Sequence, residues 1–130
     1  YCTLTDSELY VIEILELKEQ KYIADAIKHM NYIDFAGKSL AVVVSDDCPI
    51  SMLAETMRCE EIDCDGLMVI NMNSGIVSLR SIRDSFNCAK FAKQMSKIGG
   101  GHEKAAGFSL NQAVYSKVIL GMLSKQLNFR

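Results

Sequence analysis

The sequence predicts an α/β domain: a mixed sheet containing one antiparallel hairpin, helices packed on its faces, and a helical connection at the N-terminus. Three observations carry this prediction. Helix-period and strand-period stretches alternate along most of the chain, the pattern of two- or three-layer α/β folds. Residues 39–45, Ser-Leu-Ala-Val-Val-Val-Ser, form a β-branched apolar run of the kind buried on both faces of a sheet. Residues 66–72 and 76–82 flank Asn73-Ser74-Gly75, a tight turn between two strands. At 130 residues the chain can close one core, burying roughly 70% of its unfolded surface. Its 49% hydrophobic and 23% charged content is that of ordinary soluble domains, and no apolar run approaches a membrane span, so no membrane partner is expected.

Taken in order, Thr5-Asp6-Ser7-Glu8 is a capping box, and Leu9, Ile12, Leu15, Ile23, Ala26, Ile27 and Met30 follow at helical spacing. This predicts one long helix, or two joined near residues 18–20; residues 10–17 also fit a strand. The run 39–45 is expected to be central in the sheet and to end in Asp46-Asp47-Cys48-Pro49. A helix over 51–57 then precedes the hairpin. Residues 88–97 place Ala89, Phe91, Ala92 and Met95 on one side of a helix, with Lys90, Lys93 and Lys97 outside. Residues 105–110 read as a strand and Asn111 as an N-cap. Ala113, Val114, Val118, Ile119, Met122 and Leu123 form the inner face of a closing helix.

The formal charge of −2, without a block of Lys or Arg, argues against a broad nucleic-acid surface and leaves room for a local one. The five cysteines contain no C-x-x-C pair and are odd in number, so they are expected to be reduced and to pack as small apolar groups in a cytoplasmic protein. Asp46-Asp47 reads as a turn pair and His29 as an exposed side chain, so no metal site is expected. A chain that starts at Tyr1 is expected to be part of something longer.

Four of the eight glycines and one of the two histidines fall within residues 98–108, IGGGHEKAAGF. Gly99-Gly100-Gly101 can turn backbone N–H groups toward an anion, because no Cβ blocks its approach. A close crossing of two backbones would call for the same glycines. His102 adds a donor, and the small Ala105, Ala106 and Gly107 keep the floor of a cleft low. In the strand 76–82 the period of two puts Val77 and Leu79 on one face and Ser78 and Arg80 on the other. An arginine in mid-strand is costly if buried without an anionic partner, and a solvated sheet face or a surface ion pair would account for it equally.

The combination of Val-Ser78-Leu-Arg80-Ser81 with Gly-Gly-Gly-His102-Glu-Lys-Ala-Ala-Gly resembles the C-terminal domain that accompanies the catalytic domain in DHH-family phosphoesterases, of the oligoribonuclease or phosphoadenosine-phosphate phosphatase type. The match is strongest over residues 76–110. The resemblance implies a helical connection over 1–35 leading from a catalytic domain outside this chain, and a DHH-associated binding domain over 36–130. It implies that Ser78, Arg80, Ser81, Gly99, Gly100, Gly101, His102, Ala105, Ala106 and Gly107 hold substrate, with Arg80 and His102 on phosphate and the small residues seating a base or sugar. The implied ligands are a short oligonucleotide, 3′-phosphoadenosine-5′-phosphate or a cyclic dinucleotide. The implied cofactors, two divalent ions of the manganese type, belong to the catalytic domain, through which a homodimer is also possible.

Two departures shape the expectation. Ile98 stands where oligoribonuclease-type members often carry a fourth glycine, and no Asp-His-His triplet occurs in these residues. The chain alone is therefore expected to hydrolyse nothing. The competing reading is a stand-alone regulatory domain that binds nucleotide or nucleic acid without any hydrolase activity.

Overall fold

The computed structural model describes residues 3–35 and 37–127, with side chains throughout except those of Lys117 and 121–127. In chain order the elements are α1 (Asp6–His29), β1 (Asn31–Phe35), β2 (Lys38–Val44), α2 (Ile50–Cys59), β3 (Gly66–Asn71), β4 (Ile76–Ser81), α3 (Cys88–Met95), β5 (Gly100–Gly101), β6 (Ala105–Ser109) and α4 (Gln112–Leu127). The strands form one sheet in the order β1-β2-β3-β4-β6-β5. Among these strands only β2 and β3 run parallel, joined through α2, and the other neighbours are antiparallel. The α/β class with a mixed sheet is as predicted.

Local chemistry sets the element ends. Thr5 Oγ1 accepts from the Glu8 amide at 3.2 Å, which starts α1. Asp6 and Glu8 in its first turn and Lys28 and His29 in its last complement the helix dipole. α1 runs unbroken for 24 residues, so neither the strand alternative at 10–17 nor a joint near 18–20 is realised. Asn111 Oδ1 accepts from the Val114 amide at 2.9 Å and caps α4, while its Nδ2 donates to the Met95 carbonyl at the end of α3. Val114 and Val118 of α4 are buried as expected and Ile119 is not; Met122 and Leu123 lie outside the described side chains.

Two strands differ from the sequence expectation. Residues 31–35, read as helical connection, form β1, whose Ile33 and Phe35 are buried while Asp34 between them is exposed. β1 lies against the outer edge of β2, so β2 is interior to the sheet and β3 and β4 occupy its centre. β5 is a two-residue strand made from the glycines themselves, pairing Gly100 with Gly107 and Gly101 with Ala106.

The sheet is covered on both faces. On one, Leu40, Val42, Met68, Ile70, Val77, Leu79 and Phe108 meet Phe86, Phe91 and Ala92 around α3 and Val114 and Val118 of α4. Phe91 stacks edgewise on Phe35 with ring centroids 5.6 Å apart. On the other face, Ala41, Leu67 and Val69 meet Leu53, Ala54 and Met57 of α2 and Ile23 of α1. The N-terminal half of α1 stands clear of this core. Leu9, Tyr10, Val11, Leu15 and Leu17 are exposed, and Ile23 is the buried residue of the helix.

Candidate functional site

Register decides what faces what. Leu67 and Val69 of β3 belong to the face covered by α1 and α2. Arg80 pairs with Leu67 on one side and Ala105 on the other, and Ser78 lies between Val69 and Gly107. Directly opposed residues share a face, so Ser78, Arg80, Ala105 and Gly107 all look toward the α2 side. There α2 reaches β4 through Arg58, whose Nη1 donates to the Ser81 carbonyl at 2.7 Å.

Beside α2 this leaves a pocket of about 380 Å³, lined by Ser51, Ala54 and Arg58 from α2, Arg80 and Ser81 from β4, and Asp84, Lys104 and Ala105. Its size suits a small ligand. Three cations open on it against a single carboxylate. Lys104 Nζ donates to Asp84 at 2.9 Å, and that ammonium holds the Asp84 carboxyl below its usual range. Arg80 is half-buried and donates to the Leu79 carbonyl at 2.9 Å. Among the described residues no carboxylate lies within ion-pair distance of Arg80. Beneath the strand, burial pushes the Cys88 thiol up to about 11, with the Arg80 charge offsetting part of the shift.

The residues named from the sequence do not all meet here. Arg80, Ser81 and Ala105 line the pocket. Ser81 is almost fully buried, and its hydroxyl donates to the Arg83 carbonyl. Ser78 opens instead on a neighbouring cavity of about 250 Å³ at the carboxyl ends of β2 and β3, with Ser45, Asp46, Cys48 and Asn71. Ala106 is not floor: alternation turns it to the opposite face, where it pairs with Leu79 and packs in the core. Gly107 sits between Ser78 and Gly100 in the sheet. His102 is exposed at the β5–β6 turn, its Nδ1 accepting from the Lys104 amide at 3.2 Å, and lies outside the pocket lining.

The glycine triplet divides in the same way. A Cβ on Gly99 would come within 2.5 Å of the Ala92 carbonyl oxygen at the end of α3, so this position needs glycine for close packing. Gly101 has φ 145°, and a Cβ there would meet Ala106 Cα at 2.7 Å. Gly100 has open space around it, its nearest neighbour being Lys93 Cε at 4.0 Å. The crossing of backbones thus accounts for two of the three.

Sequence reasoning missed Arg58, Lys104, Asp84 and Ser51. Ala54 and Arg58, four apart on α2, announce a shared helix face, yet nothing in the sequence says that this face borders β4. Of the aspartate pair, Asp47 accepts from the Ser45 hydroxyl within one turn, while Asp46 accepts from Asn73 Nδ2 of the β3–β4 turn. Among the described residues no three of His, Cys, Asp and Glu come together as metal ligands, so the donor set of a two-metal centre is not found there. Among them, too, no helix is long and apolar enough to cross a membrane.

The chain matches no protein-family model and no curated protein. It does resemble solved structures. An uncharacterized protein from Helicobacter pylori G27 shares 21% identity over 77% of this chain and 30% of its own, with a TM-score of 0.55. RecJ from Thermus thermophilus, solved with Mg2+, shares 16% identity over 88% of this chain and 18% of its own, at a TM-score of 0.50. The DHH domain of a protein described as a member of the s1p family of ribosomal proteins shares 12% identity over 90% of this chain and 32% of its own, at 0.52. The likeness at these identities is one of fold, and this chain spans a third or less of each of those chains. The fold is therefore one found as a segment within those solved structures, one of which is described as a DHH domain.

Proposed function

We propose that this chain is the substrate-recognition domain of a DHH-family metal-dependent phosphoesterase, and that the pocket beside α2 holds a phosphate of a nucleotide or short oligonucleotide. The observation that carries the reading is Arg80: a half-buried arginine in mid-strand, with no carboxylate partner among the described residues, lining a pocket of ligand size. An uncompensated charge in such a place is stabilised by an anion that binds there. Arg58 and Lys104 add cationic donors, and Ala105 leaves room for a flat group at the pocket floor. The candidate ligands are a short oligonucleotide, 3′-phosphoadenosine-5′-phosphate and a cyclic dinucleotide.

The rest of the division of labour belongs to the same proposal. Two divalent ions in a separate catalytic domain would polarise the phosphate and generate the attacking hydroxide, while this domain orients the substrate. α1, with apolar residues largely uncovered in its first half, suits a helical connection to that domain. His102 lies outside the pocket on the exposed turn that carries Lys104, and in this reading it has at most a secondary part in binding.

Titration calorimetry with 3′-phosphoadenosine-5′-phosphate tests the reading. Arg80→Ala is expected to weaken binding by about 1.5–3 kcal/mol, the range for charge-assisted hydrogen bonds, with the melting temperature little changed. Undiminished affinity would remove Arg80 from the site and with it the basis of the proposal.

A further inference from the structure

The N-terminal half of α1 carries apolar residues on two opposite sides. Ile12 and Leu15 stand eleven positions before Ile23 and Ala26, about three turns of an α-helix, so they continue the row that packs on the sheet. That row suits the helical connection proposed above. Tyr10, Ile14 and Leu17 follow one another at intervals of four and three and form a second stripe, roughly half a turn away from Ile12. Their exposures of 65%, 36% and 65% leave this stripe uncovered. A helix that is apolar on more than one side is normally buried on more than one side.

Charge narrows what can lie on the second stripe. Residues 6–17 contain Asp6, Glu8, Glu13 and Glu16 and no lysine, arginine or histidine. Asp6 and Glu13 stand four and three positions from Tyr10, alongside the stripe. A surface that covers it must therefore be apolar and basic. α4 is both. No acidic residue occurs from residue 104 to residue 130, while α4 carries Lys117 and Lys125. Tyr115, Ile119 and Leu120 of α4 are 39%, 38% and 63% exposed, although Val114 and Val118 beside them are buried in the core. Within one chain α1 and α4 cover opposite faces of the sheet, α1 through Ile23 and α4 through Val114 and Val118. A contact between these two helices therefore joins two copies. Pairing α1 with α1, or α4 with α4, would bring like charges together, whereas α1 on α4 brings opposite ones.

We propose that the N-terminal half of α1 docks on the exposed side of α4 of a second copy of this chain, apolar stripe on apolar stripe and acidic helix on basic helix. Used twice about a two-fold axis, the contact closes a dimer. It is independent of the nucleotide-binding reading, because no residue of either stripe lines the pocket beside α2.

Sedimentation velocity of the whole chain, from micromolar to near-millimolar concentration, tests the proposal. The chain should pass from monomer to dimer as its concentration rises. Tyr10→Gln/Leu17→Gln on α1 and Ile119→Gln/Leu120→Gln on α4 should each raise the concentration of half-association at least about tenfold. Leu120→Glu, which sets an acid on the basic helix, takes the place of the α4 double variant should that one fail to fold. Glu13→Lys/Glu16→Lys keeps every apolar residue and should still weaken association at least about fivefold. An equimolar mixture of the α1 and α4 double variants should associate more strongly than either alone, because the unaltered α4 of the first meets the unaltered α1 of the second. A chain that stays monomeric throughout overturns the proposal and leaves the stripe to a different protein. Association lost in the α1 variant and kept in the α4 variant would mean α1 against α1, and it overturns the proposal too. So does a mixture that gains nothing, or a charge reversal without effect.

Discussion

At the scale of the residue, Arg80 and His102 carry unequal weight, although both stand out in the sequence as phosphate ligands. Arg80 lines the pocket, while His102 lies outside its lining on an exposed turn with Nδ1 already accepting from the Lys104 amide. His102→Ala is therefore expected to weaken binding of 3′-phosphoadenosine-5′-phosphate by less than about 1 kcal/mol, and Arg80→Ala by about 1.5–3 kcal/mol. Equal losses in calorimetry would show that the ligand reaches over the turn. Arg80 was legible because strand alternation is a local rule that places it opposite Val77 and Leu79. Arg58 was not legible, because its partner is a carbonyl 23 positions away, brought close by the crossover through α2. Asp47 was legible for the same reason as Arg80, since its partner Ser45 lies in the same turn, whereas the bond of Asp46 to Asn73, 27 positions away, was no more legible than that of Arg58.

At the scale of the element, the glycine loop is as much a packing device as a binding one. Gly99 abuts the Ala92 carbonyl, and Gly101 combines positive φ with close contact to Ala106. Gly99→Ala and Gly101→Ala should each lower stability by about 1–3 kcal/mol, through overpacking and backbone strain respectively. Gly100→Ala, with open space at its Cβ, should stay within about 1 kcal/mol of the parent. Urea unfolding of the three variants provides the comparison, and a stable Gly101→Ala protein would contradict the close-packing account. The longer elements were readable from periodicity and caps, as Thr5 and Asn111 show. β5 was not, since a two-residue strand of glycines has no side-chain pattern. β1 is not legible because Met30 completes the helical series of α1 and masks the alternation of Ile33, Asp34 and Phe35 just beyond it.

At the scale of the whole molecule, two buried thiols set an alkaline limit. Cys64 and Cys88 are fully buried, and desolvation pushes each from 9.0 up to about 11. The folded protein keeps protons that the unfolded chain releases, so their contribution is complete below pH 9 and is lost as the pH rises through about 11. Stability should fall across that interval, and the double variant Cys64→Ala/Cys88→Ala should show a shallower fall. Denaturation midpoints at pH 8 and pH 10.5 provide the comparison, and identical slopes would remove the thiols as the cause. The acid side has its own anchor. Asp65 Oδ2 accepts from the Ser39 amide at 2.8 Å and Oδ1 from Arg83 at 3.1 Å, and together these lower its carboxyl pKa. A lowered pKa gives stability that is present above the unfolded value and lost as the pH falls through the folded one.

The claim that joins these scales is that the pocket between α2, β4 and Lys104 is where a nucleotide phosphate binds. The measurement closest to it is a nitrogen-15 heteronuclear correlation titration of the chain with 3′-phosphoadenosine-5′-phosphate. The account predicts saturable shifts concentrated at residues 51–58, 79–84 and 104–105, with the largest at the Arg80 side chain and the neighbouring amides. Shifts centred on the cavity at the carboxyl ends of β2 and β3, around Ser45, Cys48 and Asn71, or no saturable shifts at all, would contradict it.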